Sequence, residues 1–152
     1  MEHKPVIELQ AIADVRPIEA PRAMSREERL ERWIEALEAN PTRKLRSLYE
    51  IEYLSPQERQ ECRSSNSPLT VAYEDPLLRA QGLKSDRVGD CLHFFELTDR
   101  QMHHAFCSCH VGRNFDAKQA AQRLRDLLPR NNPISSSSRS IVQRIGAFFA
   151  AR

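Results

Sequence analysis

Apolar side chains recur about once per helical turn from Leu30 to Leu128, and most runs open on residues that start helices. This pairing constrains the chain most, because it gives both the face each helix buries and the point where it begins. Ser25 with Glu28 forms a capping box, in which the two side chains satisfy backbone N–H groups that a first helical turn leaves without partners. Leu30, Trp33, Ile34 and Leu37 then fall on one face. Asn40-Pro41 puts proline where a helix loses no donor, and predicts a second helix burying Leu45, Leu48, Tyr49 and Tyr53. Ser55-Pro56-Gln57-Glu58 repeats the start signal, but the run to Cys62 is nearly all polar and predicts a surface helix. Ser67-Pro68 and Asp75-Pro76 mark two more starts, the second helix closed by Gly82.

Three further helices follow. Asp86 to about Phe95 buries Val88, Cys91, Leu92 and Phe95. Thr98 to about Cys109 buries Met102, Ala105, Phe106 and Cys109, with Thr98 and Gln101 as a capping box and Leu97 and Met102 spaced as a hydrophobic staple. Asp116 to Leu128 buries Ala117, Ala120, Ala121, Leu124, Leu127 and Leu128 and stops at Pro129. No strand pattern competes, so the predicted fold class is all-α, a compact single-domain bundle of about six or seven short helices over residues 24–130. Residues 1–23, with three prolines and no aromatic side chain, read as a flexible arm. Residues 131–138 read as a serine-rich linker, and residues 139–152 as an amphipathic helix whose Ile141, Val142, Ile145, Phe148 and Phe149 share one side.

The net charge is only +2, and residues 24–130 carry as many acidic as basic side chains. The positive excess sits in the C-terminal tail, at Arg139, Arg144 and Arg152. No apolar run reaches the roughly 20 residues that span a bilayer, and MEHKPVIELQ lacks the layout of a secretory signal. Cys62, Cys91, Cys107 and Cys109 are too few and too unevenly spaced for a disulfide framework, so a reducing, cytoplasmic setting is expected.

Residues 102–110, MHHAFCSCH, hold the densest chemistry. On one continuous helix His103, Cys107 and His110 fall within roughly 60° of one another, while Cys109 joins the core stripe and His104 faces solvent. These three borderline-soft ligands suit zinc if another element supplies a fourth, with His93 or Cys62 as the donor. Cys107-Ser108-Cys109-His110 is one residue short of the haem-attachment pattern. A redox pairing of Cys107 with Cys109 is disfavoured on a continuous helix, where such neighbours point about 200° apart. Cys107 as a nucleophile is disfavoured too, since a helix C-terminus raises a thiol pKa.

Residues 87–106 resemble a helix-turn-helix in their packing pattern, through Leu92, Phe95, Leu97, Thr98 and Met102. That resemblance implies a DNA-facing side made of Thr98, Asp99, Arg100, His103 and His104. Glu96 stands where the turn usually has glycine, and Asp99 begins the reading helix with an acid, which phosphates repel. With no catalytic motif such as a P-loop or a G-x-S-x-G elbow, the leading expectation is a non-catalytic regulatory or accessory protein acting through protein contacts, with residues 139–152 as the docking element. A helix-turn-helix regulator and a zinc module are the alternatives.

Overall fold

The computed structural model describes residues 22–48 and 51–130. The expected arm up to residue 21, the linker and the C-terminal helix lie outside the described residues, as does Tyr49. The described residues form a mostly helical body with one small sheet, so the fold is not purely all-α.

Helix α1 (Arg26–Glu38) runs through the middle of this body. Its capping box is formed as expected: Glu28 N–H donates to Ser25 Oγ at 3.2 Å, and Ser25 N–H to Glu28 Oε2 at 2.7 Å. Leu30, Trp33, Ile34 and Leu37 are buried. The Trp33 indole stacks on Phe95 with ring centroids 4.3 Å apart, leans on Phe106 at 5.5 Å, and donates its Nε1–H to the Pro68 carbonyl at 2.9 Å. Stacked rings and a satisfied indole N–H anchor the core at this point.

The helix expected after Asn40-Pro41 does not form. Residues Lys44–Arg46 are strand β1, with Lys44 and Arg46 exposed and Leu45 buried between them. The Pro41–Arg43 turn instead caps a later helix: the carbonyls of Arg43 and Pro41 accept the N–H groups of Ala117 and Lys118 at 2.9 and 3.1 Å. Those N–H groups are among the donors a helix start leaves without partners, so the turn is held open by the helix it serves. Leu45 and Leu48 are buried as expected, but by way of a strand, and Tyr53 in the 3-10 turn Ile51–Tyr53 is 81% exposed.

Helix α2 (Pro56–Glu61) buries no side chain, as its polar sequence requires. Helices α3 (Pro68–Glu74) and α4 (Pro76–Ala80) begin at their prolines. Asp75, between them, caps α4 through Oδ1, which accepts the N–H groups of Leu77 and Leu78, both at 3.0 Å. Its Oδ2 accepts from Arg32 Nε at 3.1 Å and Nη2 at 2.8 Å. Burial would raise this carboxyl, but Arg32 and the N–H groups of α4 outweigh it and hold the group below the usual range.

Helix α5 (Val88–Phe95) starts two residues later than its sequence pattern suggests. Asp86 does not cap it; that side chain is buried and paired with Arg63 Nε at 2.6 Å. The Cys62 carbonyl takes the Val88 N–H instead, at 2.9 Å, and joins the end of α2 to the start of α5. The two helices touch at Gly89, where a Cβ would lie 2.9 Å from the Gln60 carbonyl oxygen.

Glu96 then adopts a left-handed conformation (φ 51, ψ 47), and α6 (Asp99–Phe106) follows. Leu97 and Met102, the expected staple pair, are both buried. Helix α7 (Ser108–Val111), strand β2 (Asn114–Asp116) and helix α8 (Ala117–Arg125) complete the body. β2 pairs antiparallel with β1 in the register Lys44↔Asp116, Leu45↔Phe115 and Arg46↔Asn114. α8 packs along α1, and its Ala117, Ala120, Ala121 and Leu124 are buried.

Candidate metal centre

α6 was expected to run on to about Cys109, but it stops at Phe106. Cys107 is extended (φ −69, ψ 141), and a separate turn of helix begins at Ser108. The break has a tertiary cause. In an unbroken helix the Phe106 carbonyl would accept from the amide of residue 110, and the Ser108 amide would donate to the His104 carbonyl. Both groups are diverted to Leu48: Leu48 N–H donates to Phe106 O at 2.8 Å, and Ser108 N–H donates to Leu48 O at 3.0 Å. The His104 carbonyl so released accepts from Arg123 Nη1 at 3.0 Å, while Nη2 of the same side chain reaches the His110 carbonyl at 3.3 Å. Arg123, on α8, therefore clamps α6 to α7.

The break redistributes the histidines and cysteines. A residue six positions beyond His103 would sit roughly 120° round a continuous helix. Here Cys109 Sγ lies 3.4 Å from His103 Nε2. One ligand atom each from His103, Cys109 and His110 lie within 4.8 Å of one another. A metal with tetrahedral Zn–N and Zn–S bonds would set such atoms about 3.5 Å apart, so the widest of these spacings would have to close by up to about 1.3 Å. The His103 and His110 rings stand edge-on with centroids 5.0 Å apart, and His104 approaches His110 at 4.9 Å. Arg100, Gln101, His103, His104, His110 and Leu127 line an open cleft of about 460 Å³ beside the group.

The expected ligand set changes accordingly. His103 and His110 stand together, and the sulfur beside them belongs to Cys109, which is exposed rather than part of the core stripe. Cys107 is the buried one, with its Sγ 3.2 Å from that of Cys109. His93 is exposed near the end of α5 and is not in the group. Cys62 is half-buried against the core, and burial pushes its thiol pKa up. Neither the Cys109 ligand nor the Arg123 clamp carries a local sequence signal, since both depend on where Leu48 lands.

The segment 87–106 does form two helices joined by a tight turn. Glu96 takes the left-handed position despite its side chain, and its carboxylate reaches Arg29 Nη2 at 2.6 Å, which fastens the turn to α1. On α6, Thr98, Asp99, Arg100 and His104 are exposed and His103 is half-buried. The acidic Asp99 shares this surface with the single cation Arg100 and the two histidines. Among the described residues no helix is long and apolar enough to cross a membrane. Comparison with protein-family models, with curated proteins and with solved structures finds no match to this chain.

Proposed function

We propose that this chain is a non-catalytic accessory protein whose helical domain holds a divalent first-row metal, zinc by ligand chemistry, at His103, Cys109 and His110. The convergence of one thiol and two imidazoles within 4.8 Å carries the reading. Zinc favours such mixed sulfur–nitrogen sets, and this one supplies three of the usual four positions. The fourth falls to water or to a side chain of a protein partner. Cys109 and His110 are both exposed, so a bound metal would face open solvent. Catalytic electrostatics depend on excluding water, and an open site of this kind suits binding better than chemistry. The number and uneven spacing of the cysteines suit no disulfide framework, which supports a reducing, cytoplasmic setting. Residues 139–152 remain the proposed docking element for the partner.

Cobalt titration of the metal-free full chain tests the reading. One equivalent should give a sulfur-to-metal charge-transfer band, and zinc should displace it. Cys109→Ser should abolish the band, and His110→Ala should weaken affinity by more than the roughly 10–100-fold typical of losing an outer-shell partner. His93→Ala should bind as the wild type does. Absence of the band in folded wild-type protein would end the proposal.

The helix-turn-helix geometry favours DNA binding as a second reading, through Thr98, Arg100, His103 and His104. A mobility shift on random duplex at low salt separates the two, because phosphate-driven affinity falls steeply as salt rises. No shift at low salt removes this second reading and leaves the metal proposal intact.

A further inference from the structure

The same break in α6 places two thiols against each other. Cys107 and Cys109 are two positions apart and would point about 200° from one another on a continuous helix. With Cys107 extended, their sulfurs lie 3.2 Å apart, the Cys109 thiol donating to the Cys107 sulfur. The two differ in access. Cys109 is exposed, with His103 Nε2 3.4 Å from its sulfur, while Cys107 is fully buried beneath it. Backbone bonds fix Cys107 from both sides: its N–H donates to His103 O at 2.9 Å, and Leu48 brackets it through Phe106 and Ser108. An exposed sulfur paired with an anchored neighbour is the arrangement by which a dithiol resolves its own oxidation.

We propose that Cys107 and Cys109 are a redox dithiol whose oxidising substrate is a hydroperoxide. The Cys109 sulfur gives up its proton and attacks the outer peroxide oxygen. The O–O bond breaks, an S–O bond forms, and the departing oxygen leaves as water or an alcohol after taking that proton. Cys109 is then a sulfenic acid. The Cys107 sulfur attacks it, the S–O bond breaks, and the hydroxyl leaves as water with the Cys107 proton. The dithiol has lost two electrons and the peroxide has gained them. Two equivalents of a monothiol of the glutathione class return the pair to its starting state, the first forming a mixed disulfide and the second releasing it as the monothiol's own disulfide. The proposal rests on the sulfur–sulfur geometry and requires no bound ion; it shares Cys109 with the metal reading, so it describes the metal-free chain.

The test uses the full chain in chelator, treated with hydrogen peroxide, quenched with an alkylating agent and digested for mass spectrometry. Cys62 and Cys91 serve as internal references, because burial raises both thiols, and Asp86 and Asp90 raise Cys91 further. The expected result is a peptide holding Cys107 and Cys109, lighter by two hydrogen masses and refractory to alkylation, while Cys62 and Cys91 are alkylated. Reductant should reverse the change. Cys107→Ala should leave Cys109 trapped as a sulfenic acid that dimedone labels. Should that variant misfold, the wild-type mass alone decides. Oxidation of the pair no faster than that of Cys62, or sulfinic acid on Cys109 beside an alkylated Cys107, would overturn the proposal.

Discussion

Replacing Asp75 separates two contributions that one carboxylate makes at once. Oδ1 accepts the Leu77 and Leu78 N–H groups that begin α4, and Oδ2 accepts two bonds from Arg32. Losing an N-cap costs about 1 kcal/mol. A hydrogen bond to a charged group adds about 1.5–3 kcal/mol, and here the lower end applies. Arg32 is 35% exposed and keeps Glu35 at 3.2 Å, so it is not stranded when Asp75 goes. Asp75→Ala should therefore destabilise the fold by about 2–3 kcal/mol. Asp75→Asn keeps a good N-cap and loses only the charge, and should cost about 1 kcal/mol.

Urea unfolding followed by the fluorescence of Trp33, the single tryptophan, reads both values. The pH dependence supplies an independent check. The carboxyl's pKa lies lower in the folded state than its unfolded value of about 3.9, so its stabilisation is present above that pH. It is lost as pH falls from there through the folded pKa. The gap between wild type and Asp75→Asn should accordingly close as pH drops below about 4. Equal losses for the alanine and asparagine variants at neutral pH would refute the capping argument. A gap independent of pH would refute the charge argument.

Other substitutions test the remaining geometry. Gly89→Ala normally favours a helix by about 1 kcal/mol, but the added carbon would meet the Gln60 carbonyl oxygen at 2.9 Å, so the melting temperature should fall instead of rise. Trp33→Phe keeps the aromatic packing and removes the indole N–H bond to the Pro68 carbonyl, and should cost about 1 kcal/mol in chemical denaturation. Arg123→Ala removes the clamp on the His104 and His110 carbonyls; zinc affinity by calorimetry should drop about tenfold or more while the far-ultraviolet circular dichroism stays unchanged.

Helix starts were the most legible part of the fold, because a capping box is a contact between near neighbours in sequence. Ser25 with Glu28, Thr98 with Gln101, and the proline starts at Pro56, Pro68 and Pro76 all stand where their residues predict. Pro41 misled for a physical reason. Leu45 and Leu48 are spaced as a helix would space them, yet the carbonyls of Pro41 and Arg43 are held by Ala117 and Lys118. Lys44, Leu45 and Arg46 do alternate polar, apolar and polar, but three residues are too short a signal until Phe115 is seen opposite. The candidate site was half legible. Helical spacing, seven residues apart, singled out His103 and His110 although the helix breaks between them, whereas exchanging Cys107 for Cys109 required that break, which no glycine or proline announces.

That break ties the ligand group to the whole body of the protein. An excised peptide spanning α6 and α7 has no Leu48 to divert its amides and no Arg123 to hold them, so it should grip zinc far more weakly than the intact chain. Conversely, an ion held there would stabilise the broken-helix arrangement that Leu48 imposes from some sixty residues away, and its occupancy would register as resistance to unfolding, about 2.7 kcal/mol when free metal stands about a hundredfold above Kd.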